Sequence, residues 1–158
     1  MRVVIAAVGR PKEGALAAAI REYEARAARY WPLHIVEVKG ERAEHGLSSD
    51  VVKGREGERL RRGIAAATTS GALVACDPGG ASMTSESFAE WLGGQREAAR
   101  DVSFVIGGAF GLDDTTRERA TMRIALAPWT LSHELARLVL AEQLYRAGTI
   151  TKGEPYHK

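Results

Sequence analysis

The stretch "DVSFVIGGAFGLDD" (residues 101–114) decides how this chain is read. Residues 101–108 read as the most convincing strand of the chain, with β-branched or aromatic side chains at Val102, Phe104, Val105 and Ile106. Its exit carries Gly107 and Gly108, then Gly111. A glycine pair at the carboxyl end of a strand lets a ligand approach the backbone, because no Cβ intrudes. The spacing is Gly-Gly-x-x-Gly and falls late in the chain. A dinucleotide fingerprint belongs in the first strand–helix turn, with an acidic residue about 20 positions on. "AAVGRPKEG" (6–14) does not fit that pattern, and no Gly-Lys-Ser/Thr phosphate loop exists. The glycines alone therefore assign no nucleotide, and a tight turn accounts for them equally.

Working outward, apolar runs alternate with helical patterns. Strands are expected at 2–8, 34–40, 72–77 (breaking at Pro78-Gly79-Gly80), 101–108 and 122–127. Helices are expected at 13–31 (stopped by Pro32), 51–67, 85–99, around 115–120, and 133–147. Thr84 or Ser85 suits the cap of the third helix and Ser132 that of the last, which Gly148 would end. The second helix holds Gly54, Gly57 and Gly63, each unfavourable by about 1 kcal/mol against Ala in an exposed helix interior. The stretch 41–50 reads as a polar loop. Strands alternating with helices imply an α/β domain with a mostly parallel sheet. In such folds ligands bind beyond the carboxyl ends of strands, here the exits after Asp77, Ile106 and Ala127.

At 158 residues, 45% hydrophobic and 27% charged, the composition is that of one globular domain rather than a disordered or fibrous chain. Every long apolar stretch is interrupted by Arg, Lys or Glu, so no membrane span is expected. The apolar start reads as a buried first strand, not a signal peptide. A single cysteine, Cys76, makes no intramolecular disulfide and points to a reducing cytoplasm. The four His are scattered without zinc-ligand spacing, so no metal is indicated. A net charge of +2 permits nucleic-acid binding only where the charge is clustered.

The last exit, "LAPWTLSHELARLVLAEQLYRA" (126–147), places Trp129 in a short loop, where it must pack against or cover something. His133 stands in the first helical turn, where the dipole disfavours an imidazolium, and reads as structural. Leu135, Leu138, Val139, Leu140 and Leu144 make an apolar surface wider than one side of a small sheet needs, so subunit association is expected. Glu142 and Arg146 form an i,i+4 pair. The chain then ends in "PYHK" (155–158), unusual for a terminus.

"FVIGGAFG" followed by "LAPWTLSHELARLVLAEQLYRAGTITKGEPYHK" resembles the bacterial ribosomal RNA large-subunit methyltransferase H family, and the likeness is collinear over nearly the whole chain. "VVIAAVGRPKEG", "EYEARAARYWPLHIVEV" and "EGERL" (56–60) fall where that family has their counterparts. The most specific element is the Pro-Tyr-His ending at its fixed spacing after the last helix.

The resemblance implies a SPOUT-type α/β fold with a mostly parallel sheet, helices on both faces and a C-terminal trefoil knot. It implies methyl transfer from S-adenosylmethionine to N3 of a pseudouridine in 23S rRNA, by a homodimer whose sites are completed at the subunit interface. Matched by position, the donor is held by Cys76, by Gly107 with Gly108, and by Leu126, Ala127, Pro128, Trp129, Thr130 and Leu131. Ser132 departs from a Pro common in the family, and Pro128-Trp129 from less bulky residues, which changes the lining of that pocket.

Methyl transfer from a sulfonium requires in-line alignment, and N3 must lose a proton, which suits an imidazole base. His157 is the expected base. Tyr156 would stack on or hydrogen-bond the target base. Arg146, with Lys158, would hold phosphate or stabilise developing negative charge. The competing account is that Tyr156 and His157 only pack the tail. Arg10, Lys12, Lys53, Arg55, Arg59, Arg61 and Arg62 either spread RNA contact or form a solvated face. Other classes compatible with the chain are a SPOUT enzyme acting on tRNA, a non-enzymatic ribosome-binding factor, and a protein preferring ATP or NAD.

Overall fold

The computed structural model describes residues 1–41 and 47–157, without the side chain of His157. Residues 42–46 of the expected 41–50 loop, His45 among them, lie outside the described residues, as do the His157 imidazole and Lys158.

Five strands, β1 (Val3–Val8), β2 (Leu33–Val38), β3 (Ala72–Ser82), β4 (Val102–Ile106) and β5 (Met122–Ala125), form one sheet in the order β2-β1-β4-β3-β5. Every pairing is parallel. β1 and β4, the most apolar runs, occupy the interior, where both faces need covering. Alternation along β1 divides the core. Val3, Ile5 and Ala7 join Phe104 and Ile106 on one face, beneath α1 (Ala15–Ala27), α3 (Ser85–Glu97) and α5 (His133–Lys152). Ala6 and Val8 join Ala75 and Val105 on the other, beneath Leu60 and Ile64 of α2 (Ser49–Ala67) and the segment around α4 (Asp114–Arg119). The parallel sheet with helices on both faces is therefore as expected. No helix among the described residues is long and apolar enough to cross a membrane.

Three boundaries differ from expectation. The first helix ends at Ala27, before Pro32, because the chain must deliver Trp31 to the core. Its indole N–H donates to the Leu144 carbonyl at 2.7 Å. β3 does not stop at Pro78. The register slips from Cys76↔Ile124 to Ala81↔Ile124, so Asp77–Gly80 bulge out and the strand resumes to Ser82. The bulge accommodates a proline that has no N–H to donate. Gly148 does not end the last helix, which continues to Lys152 and is closed by Gly153 in the left-handed conformation. A Cβ at Gly148 would collide with the Tyr30 ring, so this glycine serves close packing of α5 on α1.

Both capping expectations hold. Thr84 Oγ1 accepts the Ser87 N–H, and Ser132 Oγ accepts the Leu135 N–H.

Candidate active site

The exits of β3, β4 and β5 meet at the carboxyl edge of the sheet, where they enclose a cavity of about 400 Å³. Its wall contains Cys76, Gly107, Gly108, Leu126, Ala127, Trp129, Thr130 and Leu131, all expected at a donor site. Pro128 is not on the wall. The sheet explains the convergence: β3 lies between β4 and β5, so three separate chain segments surface side by side. Small residues and backbone dominate, with Ile106, Leu126 and Ala136 giving an apolar interior. Burial pushes the Cys76 thiol up to about 12, so it remains protonated there.

Two aromatics stand on the loops at this edge. Trp129 is 74% exposed and Phe110 is 49% exposed. Of the roles expected for Trp129, its exposure excludes the core and leaves a covering or interface aromatic.

The wall also includes Asp77, Ser132 and His133, which the sequence reading did not place at the site. His133 was expected to be merely structural. It sits at the start of α5, with Nε2 3.6 Å from where a Cβ on Gly9 would stand. Its position in the first turn of a helix that follows a ligand-facing exit was the available signal.

The tail residues lie elsewhere. Tyr156, in the short 3₁₀ turn Pro155–His157, packs its ring on Tyr145 with centroids 4.5 Å apart. Its hydroxyl donates to Glu142 Oε1 at 3.1 Å and lies 3.4 Å from the Tyr23 hydroxyl. Burial, these hydrogen bonds and the Glu142 charge raise its pKa, so Tyr156 is a neutral phenol. Arg146 donates to the same Glu142 oxygen from Nε (3.0 Å) and Nη2 (2.7 Å) and covers the Tyr156 ring at 4.9 Å. Thus Glu142–Arg146 is a half-buried pair integrated with the tail rather than a freely solvated bridge.

His133 and Arg146 are thirteen residues apart on one helix, which separates cavity and tail cluster by about 20 Å along the axis. The structure does not bring Tyr156 or Arg146 to the cavity of their own chain.

Midway along α5, Arg137 is only 4% exposed and donates to Glu24 Oε1 at 2.6 Å and Glu37 Oε1 at 2.7 Å. Burial opposes its charge, yet the hydrogen bonds from both carboxylates prevail and its pKa is raised. It ties α5 to α1 and β2.

The cations considered for RNA contact are mostly engaged. Arg10 meets Glu37, Lys53 meets Asp50, Arg55 and Arg59 meet Glu41, Arg61 meets Asp113 and Arg62 meets Glu58. On the last helix, Leu140 and Leu144 are buried in the core, Leu138 and Val139 are half-buried and Leu135 is 42% exposed, so the expected apolar surface is divided between the core and the outside of this chain.

Comparison with known proteins accords with this layout. A family model described as "Predicted SPOUT methyltransferase" matches residues 1–157. A protein of Gemmatimonas aurantiaca named ribosomal RNA large subunit methyltransferase H is 60% identical over 158 residues, covering all of both chains. One of the same name from Anaeromyxobacter sp. (strain Fw109-5) is 44% identical, again over the full length of both. Among solved structures, a probable methylase family protein from Haemophilus influenzae Rd KW20 aligns with a TM-score of 0.51 at 14% identity, covering 99% of this chain and 70% of that one. The A. aeolicus TrmH/SpoU tRNA modifying enzyme aligns with a TM-score of 0.50 at 13% identity, covering 96% and 77%. At such identities the structural likeness speaks to the fold alone. Full-length identity of this order, together with the cavity where the fold places it, establishes that the chain belongs to the ribosomal RNA large subunit methyltransferase H family of SPOUT methyltransferases.

Proposed function

We propose that this chain transfers a methyl group from S-adenosylmethionine to N3 of a pseudouridine in 23S rRNA, acting on the ribosome in the cytoplasm as a homodimer. One observation carries the reading: three strand exits converge on a single small-residue cavity of about 400 Å³, within the range of small-molecule sites. An adenine ring fits an interior of Ile106, Leu126 and Ala136, and the backbone at Gly107 and Gly108 is open to close approach. In this reading Cys76, Gly107, Gly108 and Leu126–Leu131 hold the donor, with Pro128 shaping the turn behind Trp129. S-adenosylmethionine, when bound, supplies an electrophilic methyl carbon on a sulfonium.

The protein's own groups must then align N3 with that carbon and help remove its proton. Tyr156 orients the target base, His157 takes the N3 proton, and Arg146 holds negative charge nearby. Since Arg146 and Tyr156 stand about 20 Å along α5 from the cavity of their own chain, the tail of one subunit serves the cavity of a second copy. The exposed Trp129 and Leu135 near the cavity offer apolar surface for that copy to cover. The C-terminal knot implied by the resemblance is part of the same reading.

The test is methyl transfer from labelled S-adenosylmethionine to ribosomes lacking their own modification, with the labelled nucleotide located by mass spectrometry. Label is expected on one 23S pseudouridine. Label on tRNA instead would replace the substrate, and absence of donor binding would remove the donor.

A further inference from the structure

Behind the glycine loop lies a carboxyl that the proposed mechanism does not use. Glu56, on the buried side of α2, is 4% exposed. Its Oε1 accepts the Glu41 N–H at 2.9 Å. Its Oε2 is fully buried and, among the described residues, is the one buried side-chain polar atom without a hydrogen-bond partner. A Cβ added to Gly108 would stand 2.6 Å from Oε2, and one added to Gly40 would stand 3.6 Å from Oε1. The carboxyl is therefore wedged between the exits of β2 and β4, against Gly108, which also lines the cavity.

The surrounding charges do not pair it. Arg59, on the same helix, donates to the Lys39 carbonyl and to Glu41. Glu41, at the β2 exit, repels it. His133, on α5, attracts it weakly from across the loop. Burial dominates and raises the Glu56 pKa. Arg59 attracts the carboxyl without pairing it, and a buried carboxylate with one hydrogen bond costs more than the neutral acid.

We propose that Glu56 is a positioning residue for the donor loop: its carboxyl gives up a proton when the cavity fills and takes a backbone N–H of the Gly107–Ala109 segment in exchange. The inference rests on the donor reading above. The step balances simply. The acid O–H breaks, its proton leaves to solvent, and an N–H···Oε2 hydrogen bond forms. Rotation of a peptide plane at consecutive glycines meets little steric resistance. A carboxylate that gains such a bond holds the loop in its donor-bound shape.

The experiment is calorimetric titration of S-adenosylmethionine into the full-length protein and its Glu56→Gln variant between pH 6 and 8, in buffers of different ionisation enthalpy. Wild type is expected to release up to one proton more than the variant. Its affinity relative to the variant should rise with pH, by up to about tenfold per unit where the proton is lost. Binding with equal proton counts overturns the role of Glu56 and leaves the donor reading intact. Failure of both proteins to bind overturns the donor reading and the loop step with it.

Urea unfolding needs no donor. A raised folded-state pKa gives stability that is full below the ordinary carboxylate range and is lost as pH rises through the folded value. Wild type should therefore lose stability relative to Glu56→Gln as pH rises, and parallel curves would overturn the protonated acid.

Discussion

The two ends of α5 are built on opposite principles. At the amino end, backbone and small side chains from three separated segments surround a cavity of about 400 Å³. At the carboxyl end, Tyr23, Glu142, Tyr145, Arg146 and Tyr156 engage one another through rings and hydrogen bonds. A cavity lined largely by small residues recognises shape and tolerates side-chain change. A cluster of paired polar groups holds defined atoms in defined places, as orientation of a substrate requires. Arg137 lies between them and fixes α5 to α1 and β2. On the proposed function, the contrast separates donor binding from chemistry.

The largest effect is expected from deleting Pro155–Lys158. Methyl transfer should fall by about 10²- to 10⁴-fold, the range for loss of a positioned acid–base group, while donor affinity measured by calorimetry stays within about twofold. Equal loss of both would erase the division between the two ends. Next, Arg137→Met takes the Arg137 cation from half-buried Glu24 and leaves Glu37 only Arg10, and should destabilise the fold by about 3 kcal/mol in urea unfolding.

At the cavity, the Cys76 thiol, pushed up to about 12, should react slowly with iodoacetamide. Its rate should rise about tenfold per pH unit from 7 to 10, following the thiolate fraction. Donor at ten times its Kd should slow labelling about tenfold. Labelling indifferent to donor would move the ligand away from Cys76. The smallest effect belongs to the cap: Ser132→Ala should cost about 1 kcal/mol of stability by denaturant unfolding.

What was legible in the sequence was local or periodic. The apolar runs of β1 and β4 announce strands buried on both faces, and the rule that ligands sit at strand exits led to the cavity. Thr84 and Ser132 read correctly as caps because capping is decided within three residues. Features fixed by distant partners were not legible. Gly148 looks like a helix stop, yet its lack of a Cβ answers to Tyr30, more than a hundred residues away. The first helix looks continuous to Pro32, yet Trp31 is directed to the Leu144 carbonyl. Pro78 looks like the end of a strand because a bulge cannot be inferred without its partner β5. Glu56 sits in a charged helical sequence and reads as solvated until Gly108 is found against it. The separation of Arg146 and Tyr156 from the cavity follows only once α5 is known to be one unbroken helix.

Trp129 has an optical consequence. Of the three tryptophans, Trp31 is 1% exposed beneath the Arg96 guanidinium, Trp91 is half-buried beside Phe88 and Phe104, and only Trp129 is 74% exposed. The chain thus carries a native fluorophore at the rim of its cavity, with the other two shielded by the core. Iodide quenching of the red-shifted emission would report that rim alone, and the loss of quenching on filling the cavity or on adding a second subunit would give each event its own binding curve without a label.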